Sequence, residues 1–164
     1  MAIIVEDGTI VPNANSYNSD ADYVDFAAAR GITIGADAAA REIELIRATD
    51  YVDNELTRMQ SKTSATQSLR YPQSVSYVNG APVGKNTIPN ELKRAQLEAA
   101  ISVFKGVFDV VATPSNIKSE SLVTGFKTEY FEDSIIEPKS DNADTYLDML
   151  SPTSGGSSFS VVRA

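Results

Sequence analysis

Ser61 and Lys62 stand side by side in the polar stretch "QSKTSATQ", where a serine nucleophile with a lysine base is a formal possibility. That pair needs a buried setting to lower the lysine pKa, which a polar loop does not offer. Histidine and cysteine are absent, so Ser-His-Asp and Cys-His arrangements, thiolate metal sites and disulfides are all excluded. The string "GAPVGKN", from Gly80 to Asn86, has three residues between its glycines. A phosphate loop has four, with Ser or Thr meeting magnesium where Asn86 stands, so a glycine-rich turn is the better reading.

Carboxylates gather at Asp20, Asp22 and Asp25, at Glu129, Glu132 and Asp133, and at Asp141, Asp144 and Asp148. None has the spacing of a calcium-binding loop. The first and third groups sit at expected helix starts, where acids favour the positive end of the helix dipole. Tyr51, Tyr71 and Tyr77 could stack on unpaired bases, but a single-strand binder also needs a basic groove. Here Arg47, Arg58, Lys62, Arg70 and Lys85 are scattered among acids. No catalytic residue, cofactor or metal ligand is expected, and the chain is read as a protein other than an enzyme.

Periodicity places these groups on a mainly α scaffold. A first helix is expected from about Asp20 to Arg30, with Ser19 as N-cap, Gly31 closing it, and Tyr23, Phe26 and Ala27 as its apolar stripe. A second runs from about Ala38 to Met59, because Ile43, Ile46, Val52, Leu56 and Met59 recur at near-helical spacing without proline or glycine between them. Its other side, with Arg41, Glu42, Glu44, Arg47, Asp50, Asp53 and Glu55, reads as a solvated face. A third helix runs from about Asn90 to Val111, burying Leu92, Ala95, Ala99, Val103, Phe104, Val107 and Val111, with Pro89 in its first turn. "ESLVTGFKTEYFED" alternates as a strand or bent hairpin with Gly125 at a bulge or turn, and a last short helix spans about Ala143 to Leu150. The expected fold is a small bundle of three to four helices with a short β-strand or hairpin and extended N- and C-terminal arms.

The 164 residues, 42% hydrophobic and 22% charged, suit one domain with tails. Residues 1–18 form an extended arm, residues 19–150 the helical domain, and residues 151–164 a flexible serine- and glycine-rich tail. Within the domain, residues 60–88 make a long loop, broken by prolines and glycines, of a length that suggests contact with a neighbour. Leu69 and Tyr71 are expected to pin that loop to the core and to contribute to the contact. Partner-binding residues are also expected at Ile3, Ile4 and Val5 in the arm and at Phe159, Val161, Val162 and Arg163 in the tail. For "FSVVR" two readings stand: a terminus without fixed structure, or a strand added to a partner's sheet edge. No apolar run approaches the roughly 20 residues that cross a bilayer, and the opening "MAIIVEDG" lacks the flank and length of a signal peptide, so the chain is expected in the cytoplasm where it is made. A formal charge of −8 and a pI near 4.5 disfavour tight binding to nucleic acid.

The pieces "VEDGTIVPNANSY", "AREIELIRATDYVD", "QSLRYPQ" and "IPNELKRAQLEAA", in this order across about Val5 to Ala100, resemble a family of tailed-bacteriophage proteins labelled DnaT-like single-stranded DNA-binding proteins. The label implies DNA binding, whereas the kin of such proteins resemble head-tail connectors, also called adaptors or head-completion proteins. The acidity of this chain, and its lack of the Trp that family members place after the long helix, favour the connector reading. That reading implies a virion protein at the head-tail interface, assembled in the host bacterial cytoplasm, whose twelve or so copies form a ring under the portal. Its partners would be its own copies, the portal protein and a downstream neck or tail-completion protein, with transient contact to the double-stranded genome passing through during packaging. The runner-up is a single-stranded DNA-binding protein assisting phage replication.

Overall fold

The computed structural model describes residues 2–56, 62–109, 119–121, 127–129 and 139–150. Four helices carry the core: α1 (Asp20–Ala28), α2 (Ala38–Glu55), α3 (Asn90–Phe104) and α4 (Asp141–Asp148). Two antiparallel hairpins accompany them, β1 (Ser76–Val78) with β2 (Ala81–Val83) and β3 (Ser119–Ser121) with β4 (Lys127–Glu129). The expected class, a small helical bundle with short β elements, is the one observed.

Local chemistry sets the helix ends. Ser19 and Asp22 form a reciprocal capping box at the start of α1, satisfying two otherwise orphaned N–H groups. The Ser19 hydroxyl and backbone N–H hold Asp22 below the usual carboxylate range. Asp37 caps α2 by accepting from the Ala39 N–H at 3.2 Å. Pro89 stands just before α3, and Gly106, at φ +74°, follows its end.

α3 is the centre of the bundle, with α2 packed on one side and α4 on another. Leu45, Ala48, Val52 and Leu56 of the α2 segment meet a surface built on Leu92, Ala95, Ala99 and Ala100, and Leu147 and Leu150 close the cluster from the α4 side. Alanines at the contact let the backbones approach closely. Tyr17, Tyr23 and Tyr71 complete the core, each fully buried.

Several expectations change on this scaffold. α3 ends at Phe104, not near Val111, and the chain turns through a 3₁₀ segment at Val107–Asp109. Phe104, expected in the core, is 41% exposed, and Ile43, expected in the stripe of α2, is 54% exposed. Arg41 and Asp53, expected on the solvated face, are half-buried. Val52 and Leu56 lie on the core side as expected. The end of the second helix, from residue 57, and Gly125 lie outside the described residues.

The expected loop at 60–88 contains the β1–β2 hairpin. Asn79 and Gly80 both take positive φ, +50° and +80°, the geometry of the tight turn that Asn-Gly favours between paired strands. Pairing runs Ser76 with Val83, Tyr77 with Pro82 and Val78 with Ala81. The Asn79 N–H donates to the Met149 carbonyl at 2.8 Å, so the hairpin tip is fastened to the end of α4.

Candidate functional site

Polar residues of the four motif segments turn inward and hold one another. Glu6 is fully buried; its carboxylate accepts from the N–H groups of Gly8, Ile10 and Val11 at 2.9, 3.0 and 2.9 Å. Around it the arm doubles back, with Val5 bridged to Ser16 and the Glu6 N–H donating to the Ser16 carbonyl at 2.8 Å. Gly8 carries φ +106°, and a Cβ there would lie 2.0 Å from the Asn86 carbonyl oxygen. Only glycine fits that approach. The arm is therefore a closed loop docked on the domain.

Gln96 of α3, fully buried, receives this loop. Its Oε1 accepts from the Tyr17 N–H at 3.1 Å and Asn18 Nδ2 at 2.8 Å. Its Nε2 donates to Ser16 Oγ, Thr49 Oγ1 and the Leu45 carbonyl at 2.7, 2.8 and 3.2 Å. Tyr17 donates its hydroxyl to Asp53 at 2.6 Å, and Asp53 also accepts from the Arg70 N–H at 3.0 Å. Burial still pushes the Asp53 carboxyl above its ordinary range and the Tyr17 hydroxyl far above its own. Gln67 donates to the carbonyls of Leu69, Arg70 and Pro72, next to a cis Tyr71–Pro72 peptide. These groups are committed to the fold.

The other candidates for chemistry are similarly engaged. Lys62 donates to the Gln67 and Ser68 carbonyls at 3.1 and 3.4 Å, while its neighbour Ser61 lies outside the described residues. Asp20 forms a two-pronged pair with Arg41, both contacts 2.7 Å, and that guanidinium holds Asp20 below the usual carboxylate range. Among the described residues no group of three or more acidic, His or Cys side chains could hold a metal ion. Nor is any helix among them long and apolar enough to cross a membrane.

Of the residues expected to bind partners, Leu69 and Tyr71 are buried in the core and have little surface to offer. Their pinning of the segment is as expected; their place in an external contact is not. Ile3 and Val5 are half-buried, and Ile4 is 37% exposed. Phe159, Val161, Val162 and Arg163 lie outside the described residues. Among the tyrosines considered for stacking, Tyr51 packs on Phe108 with centroids 4.7 Å apart and donates to Asp144 at 2.5 Å, Tyr71 is buried, and Tyr77 is half-buried in the hairpin.

Aromatic and cationic groups lie beside α3, of which periodicity assigns Phe26 and Phe104 to apolar stripes and passes over Arg30. Arg30, just past α1, places its guanidinium carbon 3.4 Å from the centroid of the Phe26 ring and its Nε 3.5 Å from Glu98 Oε1. From Arg30 the chain runs to Gly35, where Phe104 is the nearest side chain. Arg41 Nη1 clamps that segment through the Gly35 and Ala36 carbonyls, at 2.9 and 2.8 Å. Exposed Lys105 follows Phe104. On the α4 side, Glu98, Asn142, Thr145, Tyr146 and Met149 line a cavity of about 270 Å³. Asn142 Nδ2 donates to Glu98 Oε2 across it, at 3.3 Å. The arrangement offers a cation held on an aromatic ring, an exposed aromatic ring beside a lysine, and one small pocket.

A family model described as "putative DnaT-like ssDNA binding protein" matches residues 1–164. No curated protein and no solved structure matches the chain. The match corrects the expectation of a head-tail connector: it names single-stranded DNA, and nothing in it indicates a ring of twelve copies, a portal or neck partner, or a passage for double-stranded DNA. The acidity that favoured the connector describes the chain as a whole, whereas a binding face is decided by the few groups that line it.

Proposed function

We propose, because the chain belongs over its whole length to the putative DnaT-like ssDNA-binding protein family, that it binds single-stranded DNA. The whole-chain family match carries this reading, and the groups beside α3 are its structural support. A net charge of −8 repels phosphate at long range, so affinity must come mainly from short-range stacking of unpaired bases, worth about 1–3 kcal/mol per base. Phe104 offers a ring face, and the Arg30 guanidinium held on Phe26 offers a flat cationic one. A duplex hides its base faces and gains little from such a surface. The chain acts here as a binding protein.

Fluorescence anisotropy of a labelled oligonucleotide, single-stranded and then annealed to its complement, tests the proposal. Saturable binding of the single strand with much weaker binding of the duplex is expected. No binding at low salt, or equal binding of both forms, overturns it.

A further inference from the structure

We infer that the cavity between α3 and α4 is a subsite for one unpaired nucleobase bearing an exocyclic amino group, with Glu98 reading that group; the inference rests on the single-strand reading above. At about 270 Å³ the cavity falls at the small end of ligand pockets and suits one planar ring system. Tyr146 and Met149 supply ring and thioether surface for a flat π-face.

The polar groups decide which ring. Glu98 keeps two carboxylate oxygens at the pocket, and an ionised carboxylate only accepts. Arg30 and Asn142 engage one oxygen each, at 3.5 and 3.3 Å, leaving lone pairs over. Asn142 commits an Nδ2 proton to Glu98 and keeps its Oδ1 as a further acceptor. Thr145 spends its hydroxyl proton on the Asp141 carbonyl, at 2.9 Å, so its oxygen also only accepts. A pocket rich in acceptors rejects phosphate and favours a ring edge that carries N–H donors. Cytosine, adenine and guanine have an amino group; thymine and uracil present a carbonyl in its place. Arg30, fixed against Glu98 and Phe26, supplies a cation next to Glu98 for the phosphate of the same nucleotide.

The test compares labelled oligo(dC) and oligo(dU), which differ at the base edge and not in the backbone, binding to the full chain. The dC strand should bind about fivefold or more tighter, within the range expected of a specific base contact. Glu98→Gln should bring the two affinities together. Should Glu98→Gln fail to fold by circular dichroism, Tyr146→Ala, which alters half-buried α4 surface, should weaken dC binding more than dU binding. Equal affinity of the unmodified protein for dC and dU overturns the subsite and leaves the single-strand reading intact. Binding of neither strand overturns both. Protection of Tyr146 by a lysine- or arginine-rich peptide, with no dC preference, would assign the pocket to a basic protein partner and overturn the inference.

Discussion

Tyr17 and Asp53, 36 positions apart, meet through a 2.6 Å hydrogen bond that joins the docked arm to α2 and, through the Arg70 N–H on the same carboxylate, to the segment leading into the first hairpin. Burial raises the Asp53 pKa, and the bonds from Tyr17 and Arg70 pull against that rise. A carboxyl with a raised folded pKa contributes stability that is full below its unfolded value and is lost as pH rises through the folded one. Tyr17→Phe removes the largest opposing bond and widens that window. It should cost about 2 kcal/mol near pH 7 and clearly less near pH 3.5, where Asp53 is protonated. Urea unfolding at the two pH values checks this; an equal loss at both would show that the carboxylate charge is not what Tyr17 compensates.

Gln96 uses both ends of its amide on five partners in a site without water access. Gln96→Leu keeps the volume and strands buried donors on Tyr17 and Asn18. The expected loss is about 3 kcal/mol, read as a lowered urea midpoint with unchanged slope. A loss below about 1 kcal/mol would mean that the partners re-pair locally.

Four tyrosines tie the domain to pH at the alkaline end. Burial pushes Tyr71 up to about 12, Tyr23 and Tyr51 higher still, and Tyr17 well above its ordinary value. Each is protonated in the fold at a pH where the unfolded chain has begun to ionise, so stability is full below about pH 10 and falls as pH rises beyond it. Stability should drop steeply as pH rises above about 10, with tyrosinate absorbance rising together with the loss of helical circular dichroism. Ionisation of all seven tyrosines without unfolding would contradict the burial of these four hydroxyls.

Phe104→Ala should leave stability within about 0.5 kcal/mol, because the ring is partly in water. It should weaken binding of single-stranded oligonucleotide by roughly tenfold, the worth of one stacked base. With Arg30 and Lys105 as the cations at this face, the logarithm of affinity should fall with the logarithm of salt with a slope of about −1.4. A slope several times steeper would place the strand on a more basic surface elsewhere.

The helices were readable because their signals are local. Ser19 and Asp37 mark starts through bonds that lie within a few residues, and Val52 and Leu56 repeat at helical spacing, whereas the end of α3 before Gly106 and the burial of Leu45 in place of Ile43 were missed. The Asn79-Gly80 hairpin was equally local, but Pro82 and Gly84 beside it read as breakers and concealed it. Phe104 was misplaced because it continues the apolar spacing of α3 one turn beyond the end of the packed surface. The Glu6, Gln96 and Asp53 networks could not be read at all, since bonds such as Tyr17 to Gln96 join residues 79 apart. That separation also explains how the motifs could be recognised in order while their purpose went unread: they are internal fastenings. Of the surface groups of the candidate site, Phe104 follows the α3 spacing, whereas Arg30 and the residues of the α3–α4 pocket come together only through packing.

The same separation bears on how the protein is made. Ser16, Tyr17 and Asn18 emerge from the ribosome well before Gln96 exists, so for most of synthesis the arm has nothing to close onto. The Glu6 loop can form from its own residues, whereas its docking must wait for α3. The domain is thus sealed by its earliest residues at a late moment, and a nascent chain halted before Gln96 would display the arm that the finished molecule hides.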